Sequence, residues 1–89
     1  MRAIVTVIGH DRVGIIAEVC SLLASMQVNI LDISQTVMQE FFTMTMLVDV
    51  SQADIPFADL SVALEEAGTK LSMAIHAQRE DIFHAMYQI

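Results

Sequence analysis

The residues of this chain best suited to chemistry lie in one short run, Gly9-His10-Asp11-Arg12-Val13-Gly14-Ile15, with a single amide further on at Asn29. The run joins an alternating apolar segment to one with helical spacing, so it delivers the chain to a helix N-terminus. First-turn N–H groups there have no partner inside the helix, and with the helix dipole they favour an anion such as an α-carboxylate. Gly14 lets a ligand or a neighbouring backbone come close. Asn29 is expected near that turn after one crossover, and its amide offers both a donor and an acceptor. Asp11 would answer an ammonium group while Asn29 and the backbone read the rest of a zwitterion. The same residues also have a purely structural reading, in which Asp11 caps the helix, Arg12 is solvated and Gly14 is steric punctuation.

Other reactive side chains point to less. His10, His76 and His84 fall on three different elements without short ligand spacing, so no metal and no cofactor is expected. The single cysteine, Cys20, sits on an apolar helical face and reads as a small buried hydrophobe. Phe41, Phe42, Met38, Met44 and Met46 lie at strand spacing and are assigned to packing.

Several elements must position that run. Residues 2–8, RAIVTVI, are rich in β-branched side chains and apolar in both alternating sets, which predicts a central strand covered on both faces. Ile15, Val19, Leu22, Leu23 and Met26 recur at helical spacing and predict a helix over about 14–26. Alternation resumes over 28–37, with Leu31, Ile33 and Val37 opposed to Asp32, Ser34 and Thr36. A further strand over 41–50 has Phe42, Met44, Met46, Val48 and Val50 as its apolar side, and the Gln39-Glu40 junction predicts an antiparallel hairpin. Asp54 and Pro56 start a second helix that Gly68 stops, and Leu71, Met73, Ile75 and Ala77 mark a fourth strand. From Arg79 onward, Ile82, Phe83, Met86 and Ile89 predict a short C-terminal helix.

This order, βαββαβ plus one helix, predicts an α+β ferredoxin-like sandwich: a four-stranded antiparallel sheet with two helices on one face. With 89 residues the chain reads as a single domain whose own core is marginal. Its hydrophobic fraction is 55 % and its charged fraction 17 %, against about 45–50 % and ~25 % for soluble domains. That excess, with seven methionines, predicts an open sheet face or edge paired with another subunit. A formal charge of −7, with only Arg2, Arg12, Lys70 and Arg79 positive, argues against nucleic acid as a partner. The longest uncharged stretch, Val19–Leu31, is well short of the ~20 residues of a membrane span, and Met1–Ile8 is not built as a signal peptide, so a cytoplasmic location is expected.

The pattern G-H-D-R-V-G-I, a helix, then V-N-I fifteen residues after Gly14 resembles the signature of ACT domains, and the resemblance covers essentially the whole chain, 1–89. The runs N-I-L-D-I-S-Q-T-V and I-F-H-A-M-Y-Q-I resemble small stand-alone bacterial and archaeal members of that family, and are similar to the domains of the glycine cleavage system transcriptional repressor. The resemblance implies a regulatory module that binds a small molecule, an amino acid, and catalyses nothing. It further implies a homo-oligomer, dimer or tetramer, with the ligand between the first turn of one subunit and the second-strand start of another. Carried over, this points to Asp11, Gly14, Ile15 and Asn29, with His10 and Arg12 beside them. Gly9 stands where serine-sensing relatives have a histidine and Asp11 replaces their amide, which argues against serine; Val13 stands where Pro is common. A regulated protein would read the assembly state.

Two other classes compete. A structural dimerisation module without ligand would use the same residues to hold the fold. An acylphosphatase-like enzyme would use Arg12 and Asn29 for phosphate, but Gly9 to Ile15 does not match the loop of that family.

Overall fold

The structure is a computed structural model that describes residues 1–10 and 13–80. Its elements are β1 (Arg2–His10), α1 (Ile15–Ser25), β2 (Asn29–Met38), β3 (Phe41–Asp49), α2 (Phe57–Lys70) and β4 (Met73–Arg79). All strand pairings are antiparallel, in the order β2-β3-β1-β4. The ferredoxin-like βαββαβ arrangement expected from the sequence is therefore present; the expected C-terminal helix falls on residues 81–89, outside the described residues.

One core holds the molecule together. Ala3, Val5 and Val7 of β1, Phe42, Met44, Met46 and Val48 of β3, and Met73 and Ile75 of β4 bury one side of the sheet. Ile15, Val19 and Leu23 of α1 and Leu60 and Leu64 of α2 close over it at helical spacing, so both helices share that side. Strand β1 is central, as its composition predicts, but it is covered on one side only. Ile4 and Thr6 are half-buried on the opposite side and Ile8 is exposed. Two helices are wide enough for one face of four strands and no more.

The chain stops its helices by backbone means. After α1, Gln27 takes φ 62° and donates to Ala24 O at 3.1 Å, while Val28 N–H reaches Leu23 O at 3.0 Å. This is a Schellman motif, sealed by contact between the buried Leu23 and Val28. Helix α2 ends with Leu71 as C-cap and Ser72 at φ 61°. Gly68, expected as the stop, lies inside the helix instead. A Cβ there would sit 2.9 Å from Ile75 Cγ1 and 2.9 Å from Met73 O, so glycine is needed for α2 to lie close on β4. Leu71 consequently belongs to the cap, and the fourth strand begins at Met73.

Strand β2 departs from plain alternation. Asn29 pairs with Asp49 and Ile30 with Val48, but the next partner of Leu47 is Asp32, leaving Leu31 as a β-bulge. The bulge brings Asn29 and Asp32, three apart in sequence, to one face; Ile33 and Val37 keep the helix side as expected, while Ile30 and not Leu31 joins them there.

Candidate functional site

The first turn of α1 is built as anticipated. Gly14 is its N-cap, at φ 85° and ψ 2°, and the first helical bond runs from Glu18 N–H to Gly14 O at 2.9 Å. A Cβ on Gly14 would meet nothing within 4 Å, so the glycine serves the left-handed backbone and not a close approach within the chain. Among the described residues no side chain caps this turn, and the N–H groups before Glu18 have no partner within the helix. Ile15 is 2 % exposed and packs in the core, so it can offer a ligand its backbone N–H only. Asp11 and Arg12 lie outside the described residues.

His10 ends β1 on the helix-free face. Its ring stacks on Phe41, with centroids 5.4 Å apart and planes at 29°. Phe41 also pairs with Met38, so Met38, Phe41 and His10 form one cross-strand row at the head of the sheet.

Asn29 is at the other end. It pairs with Asp49, which pairs with Arg2, the first residue of β1. The eight residue steps from Arg2 to His10 span ~26 Å at about 3.3 Å per residue, so Asn29 is not near the turn of its own chain. The reason is the crossover: α1 runs antiparallel to β1 and returns the chain to the foot of the sheet before β2 starts. An amino acid cannot touch both groups in one copy.

The foot carries its own electrostatics. Arg2 is held by Glu80 through Nε–Oε2 at 2.5 Å and Nη2–Oε1 at 2.6 Å, and this partner raises its pKa above the usual guanidinium value. Asp49 accepts the Ser51 N–H at 2.9 Å, and the amino terminus lies 3.8 Å away. The Ser51 backbone bond, then a Ser51 side-chain bond, hold the Asp49 carboxyl below the ordinary carboxylate range. Among the described residues no three His, Cys, Asp or Glu side chains are grouped to hold a metal ion. His76 Nδ1 lies 3.5 Å from Glu65 Oε1 on the surface, and His84 is outside the described residues.

Reading the sequence pointed to an open face or edge without saying which; the bare edge is β2. Along β2, Leu31 is 46 %, Ile33 40 %, Val37 53 % and Met38 70 % exposed, and only Ile30 of the strand packs against the core. A signal existed: Ile30-Leu31 breaks the period of two, which is what a bulge does. Among the described residues, no helix is long and apolar enough to cross a membrane.

Comparison with known proteins fits this geometry. The ACT domain family model matches residues 2–78. A UPF0237 protein of Clostridium acetobutylicum is 54 % identical over 89 residues, covering 100 % of both chains. A solved ACT domain protein from Streptococcus pneumoniae superposes with a TM-score of 0.83 at 44 % identity, covering 98 % of each chain. A putative glycine cleavage system transcriptional repressor shares the fold, with a TM-score of 0.71 at 24 % identity over 86 % of this chain and 44 % of its own. The chain belongs to the ACT domain family, whose members are regulatory, small-molecule-binding modules.

Proposed function

We propose that this chain is a cytoplasmic regulator that binds an amino acid at a seam between two copies paired through β2, and that it works by linkage and not by catalysis. One observation carries the reading: the two groups suited to a zwitterion, the open first turn of α1 and Asn29, lie at opposite ends of the sheet beside a long bare edge. Antiparallel pairing of two β2 edges about a two-fold axis sets the foot of one copy against the head of the other. Asn29 of one copy then approaches the α1 turn of its neighbour, and two equivalent sites form.

The helix terminus would take the carboxylate, and Asn29 with Asp11 the amino group and side chain. Both open faces stay on one side of the joined sheet only where residues of equal parity pair, such as Ile33 with Ile33 or Ser34 with Ser34. A ligand bridging the seam stabilises one assembly state by its differential affinity, and a regulated protein reads that state.

A thermal-shift screen against the proteinogenic amino acids, with light scattering for mass, tests this. A ligand at 100-fold excess over its Kd stabilises by ~2.7 kcal/mol, a Tm rise on the order of 10 °C for so small a domain. The expected result is one responding amino acid, a response lost in Asn29→Ala, and a dimeric or larger mass. A flat screen on a clean dimer would leave an interaction module without ligand; a monomer at every concentration would end the proposal.

A further inference from the structure

The helix-free face contains a second feature, separate from Asn29 and the α1 turn, although its residues Ile33 and Ser34 belong to the strand of the proposed seam. Below the hydroxyl row Ser34-Thr45-Thr6 lies the row Asp32-Leu47-Ile4, and between them the sheet forms a depression of about 150 Å³. It is lined by Ile4, Leu47, Thr45, Ser34, Asp32 and Ile33. The half-buried Ile4 and Leu47 make an aliphatic floor, and the cross-strand pair Ser34 and Thr45 supplies two hydroxyls on one wall.

Asp32 stands on the same face because of the bulge at Leu31; in unbroken alternation that position would point to the helices. Its Oδ1 accepts the Ile33 N–H at 2.9 Å, which fixes the carboxylate, and the residue as a whole is exposed. Carboxylate, hydroxyl and hydroxyl around an aliphatic floor are three acceptors suited to the three N–H donors of an ammonium group. The lining contains no cation to meet a carboxylate. At the foot, Arg2 is engaged by Glu80, and the chain carries a net charge of −7. The site therefore has the charge and shape for a cation with a short alkyl tail, and lacks what a zwitterion needs.

We propose that this depression is a binding site for short-chain primary alkylammonium ions, on the open face at mid-strand of the same β2 that forms the proposed seam, and distinct in its ligand chemistry from the amino-acid site at Asn29 and the α1 turn. The ammonium group bridges Asp32, Ser34 and Thr45, and the alkyl chain lies on Ile4 and Leu47. A cavity near 150 Å³ takes a body of about six heavy atoms, enough room for the smaller butylammonium ion, and so small a ligand on an open surface binds in the millimolar range.

The test is a titration of the full ¹⁵N-labelled chain with n-butylammonium chloride, followed by amide chemical shifts. 1-Butanol serves as the uncharged homologue and butyrate as the anion. Saturable shifts confined to the amides around Ile33, Ser34 and Thr45 are expected, weakening as salt is added. Asp32→Asn keeps an oxygen for the Ile33 N–H and should weaken binding about tenfold, the cost of losing one charge-assisted bond. Ser34→Ala should weaken it less, and it stands in as the reporting variant should Asp32→Asn alter the spectrum of the free protein. Butanol should bind far more weakly and butyrate should shift none of these amides. The proposal is overturned if the amine gives no saturable shift within its solubility, if its shifts map elsewhere, or if butanol binds as well.

Discussion

Strands β2 and β4 are the two edges of one sheet, and the fold treats them in opposite ways. β4 is drawn under α2: Met73 and Ile75 are buried, and Gly68 lets the helix backbone settle against them. β2 has only Ile30 packed against the core and exposes apolar side chains over the rest of its length. A long, apolar, uncovered edge is a liability in a monomer, because its free N–H and C=O groups template another strand. One edge is thus covered in building the protomer, and the other is left bare. That contrast is why the proposed seam falls on β2.

The contrast can be broken most severely from the β4 side. Gly68→Val puts a branched side chain where backbone and Ile75 already sit at 2.9 Å, so α2 must lift from the sheet. A loss of ~3 kcal/mol or more is expected, read as a lower urea midpoint with an unchanged slope. Leu64→Ala beneath the same helix should cost about 2–5 kcal/mol, whereas the matching truncation on the other edge, Val37→Ala, should change protomer stability by no more than about 0.5 kcal/mol. Equal costs at the two edges would erase the distinction.

From the β2 side the expected effect is on mass and not on folding. Ile33→Lys adds a charge to an exposed edge position, so the fold should persist while light scattering falls to the monomer. Persistence of the oligomer would move the seam elsewhere. At the hairpin that joins β2 to β3, Gln39 has φ 56°, and Gln39→Gly should raise stability by ~1 kcal/mol by removing the left-handed penalty, seen as a higher Tm.

The smallest effect concerns pH. Asp49 has a depressed folded-state pKa, so its contribution is present above the ordinary carboxylate value and is lost as pH falls through the folded value. Asp49→Asn should therefore flatten the acid side of the stability profile, by a small amount since the group is exposed. A chain in which Asn29 and Asp49 share a closed interface would show a larger change on dimerisation.

The order of strands and helices was legible because each element has its own periodicity. Val5, Val7, Val19, Leu23, Met44 and Met46, all assigned to apolar faces, all lie in the core. The hairpin at Gln39-Glu40 was legible from the short polar interruption. The αL positions at Gln27, Gln39 and Ser72 were not, since none is a glycine, the residue that ordinarily marks such a backbone. Gly68 was misplaced for a related reason: from sequence alone a glycine near a helix end reads as a stop, and its need for close contact depends on Ile75 and Met73 arriving opposite.

For the candidate site, sequence determined the parts and tertiary structure decided their distances. Local patterning identified a strand-to-helix turn at Gly14 and an amide before the second strand, because those depend on neighbours along the chain. That Asn29 lies at the foot and the turn at the head follows from the length and direction of α1, and that Asp32 joins Ile4 and Leu47 on the open face follows from a one-residue bulge. Both are long-range outcomes: a crossover reverses which ends of the strands meet, and a single unpaired residue inverts which side chains share a face.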